Sequence, residues 1–223
     1  MFLSLSLIVA GLLAACTLAW GLTRRRRQRL LRTLGQELLL GLELMQGVQR
    51  HRALGGQDGP GAAQDRRQLA ERLAPAWQAW PEASHLRIWT SLRQSPADFD
   101  GHCRLVENLL ARIRFLELHL CRLRLRAPAI ADRGWQVEDL GRLRGLSIRA
   151  AARQECPLEL RIQLQYLHDR LLEGADGELR DALGRLAPDL FSTRGLSVPP
   201  EQLYALFTPL IDQRIEALRS SLG

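Results

Sequence analysis

The fold class turns on one stretch, Leu105-Val106-Glu107-Asn108-Leu109-Leu110-Ala111-Arg112-Ile113-Arg114-Phe115-Leu116-Glu117-Leu118-His119-Leu120-Cys121-Arg122-Leu123. Leu105, Leu109, Ile113, Leu116, Leu120 and Leu123 follow one another at steps of 4, 4, 3, 4 and 3. Such steps keep side chains on one face of a helix, so the row is a narrow apolar seam suited to bundle or coiled-coil packing. Ser95-Pro96-Ala97-Asp98 opens this helix, with proline in the first turn and an acid behind it, and Pro128 closes it.

Working outward, the same period recurs on both sides. Gln28 to Arg52 carries Leu30, Leu31, Leu34, Leu38, Leu42, Met45 and Val48, largely three and four apart. Gly55 to Gly61 is a loop by composition, Ala62 to Leu73 a second helix, and Pro75 opens a third that is kinked or restarted near Pro81. Beyond Pro128, helices are expected over Trp135–Arg153, Pro157–Leu172 and Glu178–Leu186, and a last one after Ser197-Val198-Pro199-Pro200-Glu201. Leucine occurs 47 times, against 19 for valine, isoleucine and threonine together. Leucine favours helices and β-branched residues favour strands. The expectation is an all-α chain of about eight helices, arranged as one or two up-down bundles; two bundles of four fit the count.

Residues 2–22, FLSLSLIVAGLLAACTLAWGL, carry no charge and are long enough to span a bilayer core. Arg24, Arg25, Arg26 and Arg27 follow at once, and arginine beside a membrane end is biased to the cytoplasm. The expected division is a transmembrane signal-anchor helix over 1–23, a basic juxtamembrane segment over 24–34 and a helical domain over 35–223. Such a chain is a single-pass protein of the bacterial inner membrane with its carboxyl-terminal domain in the cytoplasm. A cleaved secretory signal would place its positive residues before the apolar run. Leu13-Ala14-Ala15-Cys16 resembles a lipobox, in which Cys16 would be acylated, but the apolar run continues past it to Leu22.

The formal charge of +7 invites a nucleic-acid reading. Six arginines precede the first acid, Glu37, and from position 33 onward 25 arginines face 24 acids. Phosphate binding needs the excess on a folded face, so no nucleic-acid partner is expected. Every basic residue is arginine, as in high-GC bacterial coding. Cys103, Cys121 and Cys156 form no CxxC pair and read as reduced thiols, and no two of the five histidines stand as HxxxH. No phosphate loop, metal-ligand pair or nucleophile elbow is present, so neither a cofactor, a metal nor an enzymatic activity is expected.

Two distant segments share a pattern. Arg50-His51-Arg52-Ala53-Leu54 and Arg142-Leu143-Arg144-Gly145-Leu146 both read Arg-x-Arg-(Ala/Gly)-Leu. On a helix, two residues apart is about 200 degrees of rotation, so one arginine faces inward while its partner faces water. An inward arginine among leucines keeps its charge and needs a counter-anion. Two such helices packed together would offer two guanidinium forks to one small planar anion. Alternatively each arginine pairs with a nearby acid such as Glu43 or Glu138, or reaches solvent.

The stretch Gln49-Arg50-His51-Arg52-Ala53-Leu54, ending a long first helix, resembles the first motif of the nitrate- and nitrite-sensing (NIT) domain family. Leu140-Gly141-Arg142-Leu143-Arg144-Gly145-Leu146 is similar to that family's second motif. The resemblance covers roughly residues 35–220, with Ala53 where glycine is usual and Gly55-Gly56 where a serine follows. It implies paired helical bundles holding nitrate or nitrite between arginines, here Arg52 and Arg144, and a sensory role. Because the family normally feeds an output module, a separate protein partner is expected to read the change. The expected partners are therefore the lipid bilayer through 2–22, a small anion, and a protein, with a homodimer allowed. The competing expectation is a membrane-tethered helical scaffold that recruits a protein through the 105–123 seam and binds no small ligand.

Overall fold

The computed structural model describes the backbone of residues 2–57, 59–123, 129–190 and 196–222, and the side chains of that set from residue 17 onward except Leu190. Eight helices follow in order: α1 Phe2–Leu54, α2 Pro60–Ala79, α3 Ala83–Gln94, α4 Phe99–Leu123, α5 Ile130–Arg153, α6 Leu158–Glu173, α7 Gly177–Leu190 and α8 Pro200–Ser220. Among the described residues there is no strand.

α1 is a single helix of 53 residues. It runs unbroken from the uncharged segment through the arginine run into the body, because no proline interrupts it. Among the described residues no helix is long and apolar enough to cross a membrane. The span read at 2–22, with Cys16, falls mostly on side chains outside the description.

Some element boundaries differ from the local reading, and at Pro75 and at the start of α5 the physical reason is visible. Pro75 does not open a new helix but lies inside α2, and Pro209 likewise lies inside α8. Both prolines and the residues four before them, Glu71 and Ala205, are exposed. Water can therefore satisfy the carbonyls that a missing N–H leaves free. α5 begins at Ile130, five residues before Trp135. Its first N–H groups are met from another helix: Glu117 Oε1 accepts from the Ile130 N–H at 2.6 Å, and Oε2 from the Ala131 N–H at 3.3 Å. A carboxylate also complements the positive end of the helix dipole. α7 runs to Leu190 through Pro188.

The helices group in two sets that share one core. α1 packs on α2 and α4, with α3 against α4; α5 packs on α6 and α8, with α7 against α6 and α8. α1 and α4 meet α5, and α1 also meets α8. One continuous apolar cluster runs from Leu34 in α1 to Leu218 in α8. Leu105, Leu109, Ile113, Leu116 and Leu120 are all sealed in it. The seam that decides the fold is thus filled by the chain's own helices and offers nothing to a recruited protein, which removes the motive for placing a docking face there.

Candidate functional site

The last turns of α1 cross the middle of α5, and two glycines let them come close. A Cβ on Gly141 would lie 3.0 Å from Arg52 Nη2 and 3.1 Å from Gln49 Nε2, and one on Gly145 would lie 2.7 Å from the Phe99 ring. Spaced four apart, Gly141 and Gly145 share a face of α5. They open a trough in which the Arg52 guanidinium lies.

In each Arg-x-Arg doublet the second arginine turns inward. Arg52 and Arg144 are 1% and 0% exposed, whereas the side chains of Arg50 and Arg142 keep 29% and 27%. The two buried charges are treated differently. Arg52 forks onto Glu138, Nη1 to Oε1 at 2.6 Å and Nη2 to Oε2 at 3.1 Å, and Nη1 also donates to Cys103 Sγ at 3.0 Å. The Phe99 ring covers its charge at 5.1 Å. Glu138, itself fully buried, also accepts from Gln49 Nε2 at 2.8 Å and Arg142 Nε at 2.9 Å. Burial alone would raise the Glu138 pKa, but Arg52 and then Arg142 outweigh it and hold the carboxyl below its usual value. Arg52 is raised: burial opposes its charge, and Glu138 more than compensates.

Arg144 has no carboxylate among the described residues. It donates Nη1 to Thr208 Oγ1 and Nη2 to the Gln49 carbonyl, each at 2.9 Å. Its charge lies 5.3 Å from the centre of the Tyr204 ring. Asp212, whose charge bears on it, is already engaged by Gln46 Nε2 and Arg50 Nη2, both at 2.7 Å. Burial pushes the Arg144 pKa down to about 10, with Tyr204 opposing that fall and the positive Arg52 adding to it. This is a buried cation supplied with neutral acceptors only.

Several polar side-chain atoms of α1 and α5 are left over. Arg52 Nε, Arg144 Nε, Gln49 Oε1 and Ser147 Oγ are buried without a hydrogen-bond partner. Buried polar groups of folded proteins are nearly always satisfied, so each of these atoms calls for an explanation. Tyr204, above Arg144, is also a wall of a cavity of about 180 Å³ that it shares with Arg50, Arg72, Asp65 and Gln68. The structure therefore brings Arg52 and Arg144 to one helix crossing. It gives Arg52 the Glu138 mate that spacing had allowed for and leaves Arg144 without one.

Sequence reasoning missed Gln49 and Thr208 as partners of Arg144, since a carbonyl 95 positions away and a hydroxyl 64 away leave no local trace. It also missed that His51 and His102 are buried against each other, Nδ1 to Nε2 at 2.8 Å. Among the described residues Cys103, Cys121 and Cys156 are free thiols, and no group of three metal-ligating side chains gathers. Compared with protein-family models, curated proteins and solved structures, the chain matches none.

Proposed function

We propose that this chain is a membrane-anchored sensory protein whose helical body takes up a small planar anion, nitrate or nitrite, at Arg144 and Arg52, as the resemblance to the NIT family implies. The observation that carries the reading is Arg144, fully buried with neutral acceptors only and an unpartnered Nε. A buried, uncompensated cation is costly, and an anion beside it removes that cost. A planar oxyanion also matches the guanidinium fork. The free Nε–H groups of Arg52 and Arg144 supply further donors, and Tyr204, beside Arg144, also walls a cavity of about 180 Å³.

The residues that would hold the anion lie on α1 and α5, and α1 is the helix that begins in the uncharged segment. Uptake draws α5 toward α1 and weakens the Arg52–Glu138 fork, shifting the body against the anchor, and a separate partner reads the shift. The ligand moves this equilibrium only by its difference in affinity for the two arrangements. Isothermal titration of the full chain in detergent with nitrate, nitrite and chloride tests this. Saturable nitrate or nitrite binding is expected, and it is lost in Arg144→Gln with the helical circular dichroism retained. Binding unchanged in Arg144→Gln and in the paired variant Arg52→Gln/Glu138→Gln overturns the reading.

One observation favours the scaffold reading. Leu158, Ile162 and Tyr166 form a straight i, i+4, i+8 row on α6 and are 61%, 55% and 60% exposed. An apolar row facing water suits a protein partner. If the chain only recruits, Ile162→Asp abolishes retention of that partner from detergent extracts, and nitrate changes nothing.

A further inference from the structure

A second cavity lies beside the last turn of α1. With a volume of about 570 Å³ it opens between α2 and α3, walled by Arg66, Arg67 and Glu71 from the first and Thr90 and Arg93 from the second, with His51 at its floor. Three arginines against one glutamate make it electropositive. Arg67 and Arg93 are exposed and, among the described residues, have no acidic partner. Arg66 spends Nη1 on the carbonyls of Leu54 and Gln57, at 2.6 and 3.4 Å, and keeps its other nitrogens.

The floor has a fixed hydrogen-bonding sense. His102 Nδ1 meets the backbone carbonyl of Asp98, which only accepts, so His102 Nδ1 carries the proton. His102 Nε2 is then the acceptor, and His51 Nδ1, at 2.8 Å, donates to it. Both rings are neutral. Burial, then His102 and the arginines Arg66 and Arg93, depress His51 to about 3; burial likewise depresses His102 to about 4. His51 Nε2 is left as a bare lone pair. His51 is 2% exposed, it lines the cavity together with Arg66 and Arg93, and no described protein group bonds this nitrogen.

An acceptor at the base of a ring of cations selects a specific chemistry. A metal ion is repelled by the arginines. An anion with acceptors alone satisfies the guanidinium groups and sets its own lone pairs against that of His51. From this geometry we infer that the cavity binds a soluble anion that itself carries an O–H donor, of the phosphate class, with its oxygens on Arg66, Arg67 and Arg93 and its hydroxyl donating to His51 Nε2. The volume leaves room for a small organic substituent and lies in the usual range for ligand sites. From Leu22 to His51, α1 rises roughly 44 Å at about 1.5 Å per residue. With residues 2–22 in the bilayer, the site stands too far from the membrane for a lipid head group.

The test compares isosteric anions on the full chain in detergent. Inorganic phosphate keeps a P–OH near neutral pH, and sulfate has none. Phosphate is expected to bind saturably and at least tenfold more tightly than sulfate at equal ionic strength. Glycerol 3-phosphate is expected to bind as well, and a short-chain phosphatidate no better than it. Arg67→Gln/Arg93→Gln, both exposed positions, is expected to weaken phosphate at least tenfold. In spectra of chain labelled with ¹⁵N-histidine, phosphate moves the unprotonated His51 Nε2 resonance and sulfate does not. Equal binding of phosphate and sulfate overturns the proposal, as does the absence of saturable phosphate binding or a preference for the lipid. Phosphate binding that disappears in Arg144→Gln but survives Arg67→Gln/Arg93→Gln also overturns it, by moving the anion to the helix crossing.

Discussion

Arg52 on α1 and Arg144 on α5 begin from the same five-residue pattern and reach the same depth, yet end in opposite electrostatic settings. Arg52 sits in a closed set: a forked carboxylate, a thiol, an aromatic face and glycines that make room for it. Arg144 sits among a hydroxyl, a carbonyl and an aromatic ring, with no negative charge of its own. Local pattern decides which arginine turns inward, because rotation about a helix is a local property. Whether an acid meets it is decided by the helix across the interface. In the protein as it stands, Arg52 is compensated by Glu138, and Arg144 has only neutral acceptors among the described residues.

The contrast is broken most severely at Glu138. Glu138→Gln removes the countercharge of Arg52 and a contact of Arg142, and leaves a buried guanidinium uncompensated. A loss of about 3–5 kcal/mol is expected, read as a fall in the denaturant midpoint of the chain in detergent. Acid should reach the same end. The Glu138 pKa is lowered in the folded state, so its contribution is complete above the ordinary carboxylate value and is lost as pH falls below it. A Glu138→Gln variant as stable as the parent would mean that the fork does not hold the crossing together.

A smaller effect comes from filling the trough. Gly145→Ala would set a Cβ 2.7 Å from the Phe99 ring. That ring stacks against both Arg52, at 5.1 Å, and Arg149, at 4.9 Å, and has little freedom to retreat. Overpacking of this kind costs about 1–3 kcal/mol, partly offset by roughly 1 kcal/mol from the better helix propensity of alanine. Gly174→Ala meets nothing within 4 Å and is the control. If both substitutions behave alike in thermal unfolding, α1 and α5 are not held at the separation described.

The fold was more legible than the site because its causes are local. The seam from Leu105 to Leu123 and the leucines of α6 and α8 announce buried faces through their spacing, and eight helices follow from it. Where local reading failed, something outside the segment had intervened: Glu117 capping α5, or solvent tolerating Pro75. At the site, spacing picked out the two Arg-x-Arg doublets and named Glu138 as one acid within reach, and the family resemblance pointed to Arg52 and Arg144. They gave no sign that Glu138 would be shared by Arg52, Arg142 and Gln49 while Arg144 met no carboxylate among the described residues. Nor did they reveal that His51, between two arginines in sequence, pairs with His102 51 positions away. Hydrogen bonds across such separations depend on side-chain approach, which no period in the chain encodes.

The finest test of the contrast is Arg144→Met. At Arg52 a matching substitution leaves Glu138 buried with only part of its donors and is expected to destabilise. At Arg144 no described carboxylate is stranded; the groups released are the Thr208 hydroxyl and the Gln49 carbonyl. Thr208 is half-buried, so its hydroxyl can turn to water. Replacing a buried ionic group by an apolar side chain of similar length is often neutral or stabilising, by as much as about 1–4 kcal/mol. Methionine is flexible enough to follow the arginine's path. The expected result is a thermal midpoint equal to or above that of the parent. A loss comparable to that of Glu138→Gln would show Arg144 to be as fully compensated as Arg52, and the two halves of the crossing would then be electrostatic equals.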